Sequence, residues 1–301
     1  MFRLTITQHL SVLTPKHSLN IVDVRRRFDR AARSFDTADF VHSVTRDGLF
    51  ARLQPVVIDA HVVVDLGCAT GSATRRLAQR FRGAKIMAVD LSRHMLEACR
   101  AKQGWFSKVR AIQADASALP FADRSIDIVF ANLMLPWADD PVKLAEEMSR
   151  VLRQDGLFVF ATLGPDSLLE LRDAWADVDE YQHVNRFLDM HDIGDSLVRA
   201  GLRDPVLDVD RLTVTYDTAA MLFRDLTASG ARNALANRNH SLVGKGRLDA
   251  VRKHLERSGP GDTISLNLEL VYGHCWGSGS HRSSGDVHID PAAISIRSSS
   301  T

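Results

Sequence analysis

Two glycines lie four residues apart in residues 64–71, a segment that reads Val-Asp-Leu-Gly-Cys-Ala-Thr-Gly. The segment follows a β-branched run and precedes residues with helical spacing, so the pattern is strand, tight turn, helix. A dinucleotide-binding loop would have glycine in place of Ala69, and a P-loop would have lysine directly after Gly71. The segment therefore disfavours pyrophosphate binding. It predicts a short loop whose backbone N–H groups approach a small ligand, with Asp65 as an acceptor at its edge.

Polar residues follow the next three predicted strands in the same way. Asp90 ends the second strand, where a carboxylate can accept hydrogen bonds from both hydroxyls of a ribose. Asp115 ends the third strand, where a carboxylate can accept from an adenine amino group, and Asn132 follows the fourth. The carboxyl ends of parallel strands meet at one edge of a sheet, so these groups predict one ligand site there.

Strands and helices alternate along the chain around these residues. Continuous apolar runs predict strands buried on both faces, and apolar residues three and four apart predict helices. The predicted strands are 61–66, 85–89, 109–114, 125–131, 157–162, 206–209, 212–215 and 264–272. The predicted helices are 24–53, 71–81, two helices capped by Ser92 and Asp140, 192–200, 218–226 and 248–257. This order predicts an α/β fold with a doubly wound parallel sheet. Residues 163–190 and 217–261 interrupt the alternation and are predicted to be lid inserts over the strand ends.

The composition excludes several classes of protein. The 301 residues are 45% hydrophobic and 25% charged, and the net charge of +1 argues against a general nucleic-acid-binding protein. Three cysteines without a C-x-x-C pair predict neither a disulfide framework nor a metal site, and they favour a reducing cytoplasm. No segment reaches the ~20 apolar residues of a membrane span. Residues 1–22 and 278–301 are predicted to be a flexible extension and a flexible tail around one domain at 23–277.

Residues 62–160 resemble the class I S-adenosylmethionine-dependent methyltransferases, because the glycine loop and the strand-end polar residues occur in the same order. The resemblance implies a Rossmann-like seven-stranded sheet with S-adenosyl-L-methionine as cofactor. It also implies roles for individual residues. The methionine part would be lined by Asp65, Gly67, Cys68 and Gly71, and the ribose would be held by Asp90. The adenine would be flanked by Leu91 and Met95, with Asp115 and Ala116 at its edge. The sulfonium would have Asn132 and Leu133 near it. Ala69 stands where many members have glycine.

The flanking segments are similar to the malonyl-acyl-carrier-protein O-methyltransferases of biotin synthesis. The similar segments are 28–32, 132–137, 163–168, 183–187, 222–226 and 272–277. The resemblance implies methyl transfer to the free carboxylate of a malonyl thioester on acyl carrier protein. A cation that positions this carboxylate would help, and Arg186 and Arg232 are the candidates. The motifs of adenine-amino and cytosine-carbon methyltransferases are absent, so a nucleic-acid acceptor is not expected.

Two positions depart from the pattern of that family. Phe35 stands where a tyrosine is common, and residues 227–230 read Thr-Ala-Ser-Gly in place of Lys-Gly-Ile-Gly. The same outer motifs occur in a mitochondrial assembly-factor group that modifies arginine. Two alternatives therefore stay open: an enzyme acting on protein arginine or a small molecule, and a methyltransferase-like assembly protein without activity.

Basic residues are concentrated in residues 224–257. This segment holds eight Lys or Arg and three Asp or Glu, in a chain whose total charge is only +1. Acyl carrier proteins are acidic, so the excess predicts a docking face for the carrier protein. The alternative is an ordinary solvated helical face.

Overall fold

The computed structural model describes residues 18–103, 108–238, 244–258 and 263–278. In these residues seven strands form one sheet flanked by helices. The strands are β1 (Val62–Leu66), β2 (Lys85–Asp90), β3 (Val109–Gln113), β4 (Ile126–Asn132), β5 (Leu152–Leu163), β6 (Arg203–Tyr216) and β7 (Ile264–Trp276). The helices are α1 (Ile21–Ala31), α2 (Phe40–Leu53), α3 (Ser72–Arg80), α4 (Arg93–Ala101), α5 (Pro141–Val151), α6 (Leu169–Ala176), α7 (Met190–Arg199), α8 (Ala219–Ala228) and α9 (Lys245–Ser258).

The strand order is β3-β2-β1-β4-β5-β7-β6. The first five are parallel, and β7 lies antiparallel between β5 and β6. The central strands are continuous apolar runs because both faces are covered, and Val63, Val64 and Ile128 are fully buried. The predicted doubly wound sheet is confirmed. Its order reverses between β1 and β4, so a crevice opens at their carboxyl ends.

The predicted helix over 24–53 is wrong as one element. The chain forms α1, a short 3-10 helix at Phe35–Ala38, and then α2. The break occurs where Ser34 Oγ donates to the Ala228 carbonyl at 3.1 Å and where Phe35 turns into a cluster with Ala31 and Met95. Ala228 and Met95 are distant in sequence from this break, and helical periodicity does not reveal them.

The two short strands predicted at 206–209 and 212–215 form the single strand β6. Because β6 pairs with β7 from Arg203 to Tyr216, the partner strand keeps the polar residues between the two runs extended. For the same reason β7 continues to Trp276, four residues beyond the prediction.

The two predicted inserts contain α6 (163–190) and α8 with α9 (217–261). Their apolar faces share one cluster with Ile264 and Leu266 of β7. β5 ends at Leu163, which pairs with Leu270, so the first residues of β7 extend beyond the carboxyl end of β5. The helical cluster therefore lies at the carboxyl edge of the sheet. The division into a core and lids stays a prediction, and residues 239–243 and 259–262 lie outside the described part.

The described structure includes residues before the predicted domain boundary at residue 23. Ala236 N donates to the Ser18 carbonyl at 2.8 Å, Asn20 N donates to the Ala234 carbonyl at 2.9 Å, and α1 starts at Ile21. The extension predicted over 1–22 is thus too long by these residues. The predicted flexibility of 1–17 and of 279–301 falls outside the described residues.

Candidate active site

The loop between β1 and α3 directs most of its amides into the protein. Gly67 N and Cys68 N donate to the Val89 carbonyl at 2.8 and 3.0 Å, and Ala69 N donates to Asp90 Oδ2 at 2.9 Å. Gly71 N donates to the Cys68 carbonyl at 2.9 Å. The prediction that these N–H groups approach the ligand is therefore wrong for all four. The amides fix the loop to the end of β2.

Both glycines of the loop are required by their geometry. Gly67 has φ of 73°, and a Cβ there would lie 2.7 Å from Met134 Cγ. Gly71 has φ of 85°, and a Cβ there would lie 2.5 Å from Cys99 Sγ. Ala69 also has a positive φ of 46°, so the alanine that replaces the usual glycine occupies a strained backbone position.

Asp65 lies beneath this loop and is 1% exposed. Its carboxylate accepts a hydrogen bond from Thr74 Oγ1 in α3, and burial raises the pKa of Asp65 to about 7. Cys68 is also buried, in a cluster with Leu96 and Cys99. Both side chains are buried and pack next to the loop. Their contact with a cofactor stays a prediction.

Asp90 is half-buried at the end of β2 and joins two loops. Its Oδ2 accepts from Ala69 N, and its Oδ1 accepts from Ser92 N at 2.8 Å. Burial raises the pKa of Asp90 to about 6. Ser92 caps α4 through Met95 N and donates to Asp29 Oδ1 of α1 at 2.6 Å. The carboxylate is therefore held at the crevice by backbone from both sides, with further lone pairs left to accept.

The remaining predicted cofactor residues lie along the same edge. Leu91 is half-buried, and its carbonyl accepts from Gln113 Nε2 at 3.0 Å. Met95 is fully buried against Ala31. Asp115 and Ala116 are half-buried after β3, and Asp115 Oδ1 accepts from Ser117 N at 2.8 Å. These positions are compatible with an adenosine site, and the individual contacts stay predictions.

Asn132 ends β4 next to a residue that the sequence did not single out. Its Nδ2 donates to the His42 carbonyl at 2.9 Å, so its Oδ1 points the other way. This oxygen is buried and has no hydrogen-bond partner among the described residues, and the same holds for His42 Nδ1. The His42 ring lies 4.8 Å from that of Phe35, and burial lowers the pKa of His42 to about 4. Since His42 lies in α2, 90 residues before Asn132, no local signal could have found it.

An apolar cavity adjoins the segment that follows Asn132. Its lining includes Leu135, Pro136, Leu144, Phe187 and Leu235. Arg186 also lines this cavity, and its role in positioning a carboxylate stays a prediction. Arg172 of α6 lies nearby, 5.6 Å from the Phe187 ring, and both burial and Arg186 lower its pKa.

Arg232, the other predicted carboxylate ligand, has different neighbours. It is exposed, and its electrostatic neighbours include Arg27 of α1. Leu133, predicted near the sulfonium, is buried with φ of 54° and donates its N–H to the Ala161 carbonyl at 2.9 Å. The structure thus places Arg186, but not Arg232, in the wall of the cavity.

Helix α9 presents the basic residues of the predicted docking face. Val251 and Leu255 are buried, whereas Lys245, Arg247 and Lys253 are exposed. Arg224 of α8 is exposed as well. The helix therefore turns an apolar face inward, and its solvent side carries these cations together with Asp249 and Glu256, with Arg247 paired to Asp179.

No group of three or more His, Cys, Asp or Glu side chains is placed to hold a metal ion within the described ranges. No described helix is both long and apolar enough to cross a membrane.

Comparisons with known proteins agree with this architecture. The family described as "Methyltransferase domain" matches residues 64–160. The YcgJ protein of Bacillus subtilis superposes with a TM-score of 0.57 at 18% identity, covering 76% of this chain and 97% of that one. A phosphoethanolamine N-methyltransferase of Haemonchus contortus, solved with S-adenosylhomocysteine, has a TM-score of 0.51 at 16% identity, covering 84% and 60%. The predicted methyltransferase fold is therefore confirmed.

Sequence relatives extend the similarity to the whole folded chain. The malonyl-[acyl-carrier protein] O-methyltransferase of Halorhodospira halophila is 40% identical over 280 residues, 91% of this chain and 95% of its own. The enzyme of the same name from Laribacter hongkongensis is 41% identical over 261 residues, 84% and 88% of the two chains. With this identity over nearly the full length of both chains, the protein belongs to the malonyl-[acyl-carrier protein] O-methyltransferase family.

Proposed function

We propose that this protein transfers the methyl group of S-adenosylmethionine to the free carboxylate of a malonyl thioester on acyl carrier protein, an early step of biotin synthesis. One observation carries the proposal above all. The similarity to the named relatives extends through the α6, α8 and α9 region and β7, well beyond the shared domain at 64–160. This outer region contributes Arg186 and Leu235 to the cavity, so the parts that contact an acceptor are included in the similarity.

The polar groups at the strand ends fit the cofactor. Asp90 offers carboxylate lone pairs where a ribose would lie, and the unpartnered Asn132 Oδ1 offers a buried acceptor. The ammonium group of the methionine end supplies N–H donors of the kind that such an oxygen needs. When bound, the cofactor supplies an electrophilic methyl group on its sulfonium.

The acceptor needs no general base in this reaction. A carboxyl group with a pKa near ~4 is already ionised at pH 7, so its oxygen is a nucleophile as it enters the site. The protein must align this oxygen with the methyl group and exclude water. The apolar cavity excludes water, and Arg186 orients the carboxylate. Arg186 is exposed, so the anion that it orients stays accessible to solvent.

The carrier protein would dock on the basic face of α9. Lys245, Arg247 and Lys253 are exposed there, and the acidic surface of a carrier protein is their electrostatic complement. We also propose the cytoplasm as the site of action, because Cys68, Cys99 and Cys275 are free thiols that suit a reducing compartment.

The test is methyl transfer from labelled S-adenosylmethionine to malonyl-acyl carrier protein, with acetyl-acyl carrier protein as the control. We expect label on the malonyl form alone, because the acetyl form has no free carboxylate, and we expect mild base to release it as an ester. Calorimetry with S-adenosylhomocysteine, run in parallel, reports cofactor binding. Cofactor binding without labelled carrier protein would refute the assignment and favour an arginine or small-molecule acceptor. Absence of both would favour an assembly protein.

A further inference from the structure

Arg232 and Arg238, in the segment at 231–238, lie within electrostatic range of Arg27 of α1. Each lowers the pKa of Arg27 through its charge, as Arg30 of α1 does more weakly, and Arg27, Arg232 and Arg238 are called the arginine cluster below. Asp23 is the carboxylate that pairs with this group, with its Oδ2 2.6 Å from Arg238 Nη1. The positive charge of the cluster therefore exceeds its negative charge, although the whole chain is nearly neutral.

Arg27 has an unsatisfied donor within this cluster. Its Nε is buried and has no hydrogen-bond partner in the described part of the chain. Burial, followed by the charges of Arg238 and Arg232, lowers the pKa of Arg27 to about 10. A buried guanidinium donor without an acceptor is unfavourable, and an anion would satisfy both the donor and the excess charge.

The cluster shares a wall with the apolar cavity. Arg238 Nη1 also donates to the Leu235 carbonyl at 3.3 Å, and Leu235 lines the cavity together with Leu19. Phe28, the residue after Arg27, contacts Trp137 edge to face, with the ring centroids 5.0 Å apart. An extended ligand can therefore lie with one part in the cavity and an anionic part at the arginines.

We propose that Arg27, Arg232 and Arg238 bind the phosphodiester of the phosphopantetheine arm that carries the acyl group. This inference rests on the proposed function, because a carrier-bound thioester always brings such an arm. A phosphodiester oxygen takes no part in methyl transfer, so several guanidinium groups can bind it tightly without cost to the reaction. The malonyl carboxylate does not suit this cluster, because the same cations would weaken it as a nucleophile. That group is assigned to Arg186 in the cavity.

The test compares two substrates that differ only in the phosphate, malonyl-pantetheine and malonyl-4′-phosphopantetheine. We expect the wild-type protein to favour the phosphorylated substrate in kcat/KM on the order of tenfold. Arg27→Gln should remove this preference by raising KM for that substrate alone. Arg232→Gln should act in the same direction, and because its side chain is exposed it leaves the fold intact.

Arg25→Gln is the matched control, since Arg25 is an exposed arginine on the same helix. It should leave the preference unchanged. Equal losses on both substrates in the Arg27 and Arg232 variants, or no loss in either, would overturn the phosphate site. Calorimetric binding of 4′-phosphopantetheine and of pantetheine to the same variants gives the same comparison without turnover.

A wild-type protein that binds the phosphorylated arm preferentially but methylates neither substrate would retain this site and refute the proposed function.

Discussion

At the scale of single residues, the cofactor site depends on Asp90 more than on the glycine loop itself. The loop amides donate inward, and Asp90 receives one of them together with Ser92 N. One carboxylate thus fixes the loop and presents lone pairs to the crevice. Both roles require the ionised carboxylate. Burial disfavours that form and raises the pKa of Asp90 to about 6.

Asp90 should make cofactor binding pH-dependent. As the pH falls through about 6, the carboxylate gains a proton and loses an acceptor, so affinity for S-adenosylhomocysteine should decrease. The part of the slope that belongs to Asp90 should be nearly complete by pH 7. Calorimetry from pH 5 to 8 measures this slope, and Asp90→Asn should remove it. Asp65→Asn is the comparison variant: it removes the other carboxylate whose pKa is raised, to about 7, and should leave the part of the slope that is centred near 6.

Arg186 should affect the acceptor and leave the cofactor unaffected. Arg186→Gln removes the cation in the cavity wall, so kcat/KM for malonyl-acyl carrier protein should fall about 10- to 100-fold, the loss of one charge-assisted contact. The affinity for S-adenosylhomocysteine should stay within twofold. Arg199→Gln, a change at an exposed α7 residue paired with Asp195, should alter neither quantity. A loss of cofactor affinity in Arg186→Gln would contradict the assignment.

His42 should influence stability in acid. Burial lowers its pKa from 6.5 to about 4, so between these values the unfolded chain binds a proton that the folded chain does not. This residue therefore makes the fold less stable as the pH falls from 6.5 to 4. Asp65 and Asp90 have raised pKa values and act with the opposite sign. Denaturant unfolding measures the free energy of unfolding of His42→Gln and of wild type at both pH values. The value for the variant minus that for wild type should be larger at pH 4.5 than at pH 7, by on the order of 2 kcal/mol. If this difference between variant and wild type is the same at both pH values, burial does not hinder protonation of the His42 ring.

At the scale of elements, α1 closes the site through contacts with the start of α4. Ser92 is the N-cap of α4 and also donates to Asp29 of α1, while Phe35 packs on Met95. Helix α8 contacts the other side of this N-terminal segment through Ser34. The N-terminal segment at this side of the site thus contacts both α4 and α8.

Ser92→Ala should cost stability and cofactor affinity together. Loss of the N-cap costs about 1 kcal/mol, and loss of the Asp29 contact also frees α1. We expect the affinity for S-adenosylhomocysteine to fall about tenfold, measured beside denaturant unfolding. Asp140→Ala is the control, because Asp140 caps α5 by accepting from Val142 N and Lys143 N. It should lose similar stability and keep its affinity.

At the scale of the whole molecule, the near-zero net charge conceals a positive face on α9. The double change Lys245→Glu and Lys253→Glu should raise KM for malonyl-acyl carrier protein about tenfold, with kcat unchanged and with a larger effect at low salt. Malonyl-pantetheine, which has no carrier protein, should be used equally well by both proteins. Lys85→Glu is the control, since this exposed lysine starts β2 at the amino edge of the sheet. Equal effects on both substrates would refute docking at α9.

The sequence by itself determined the sheet, the strand-end polar row and the family. These features depend on continuous apolar runs, on residues directly after them and on motif order, all of which are local. Only the tertiary structure decided the break between α1 and α2, the inward direction of the loop amides and the length of β6. It also decided that His42 lies next to Asn132 and that Arg27 lies near Arg238. These features depend on partners distant in the sequence: Ala228 for Ser34, β7 for β6, and the 231–238 segment for α1. Periodicity records which side of an element is buried, but the partner on that side is determined by packing of the whole chain.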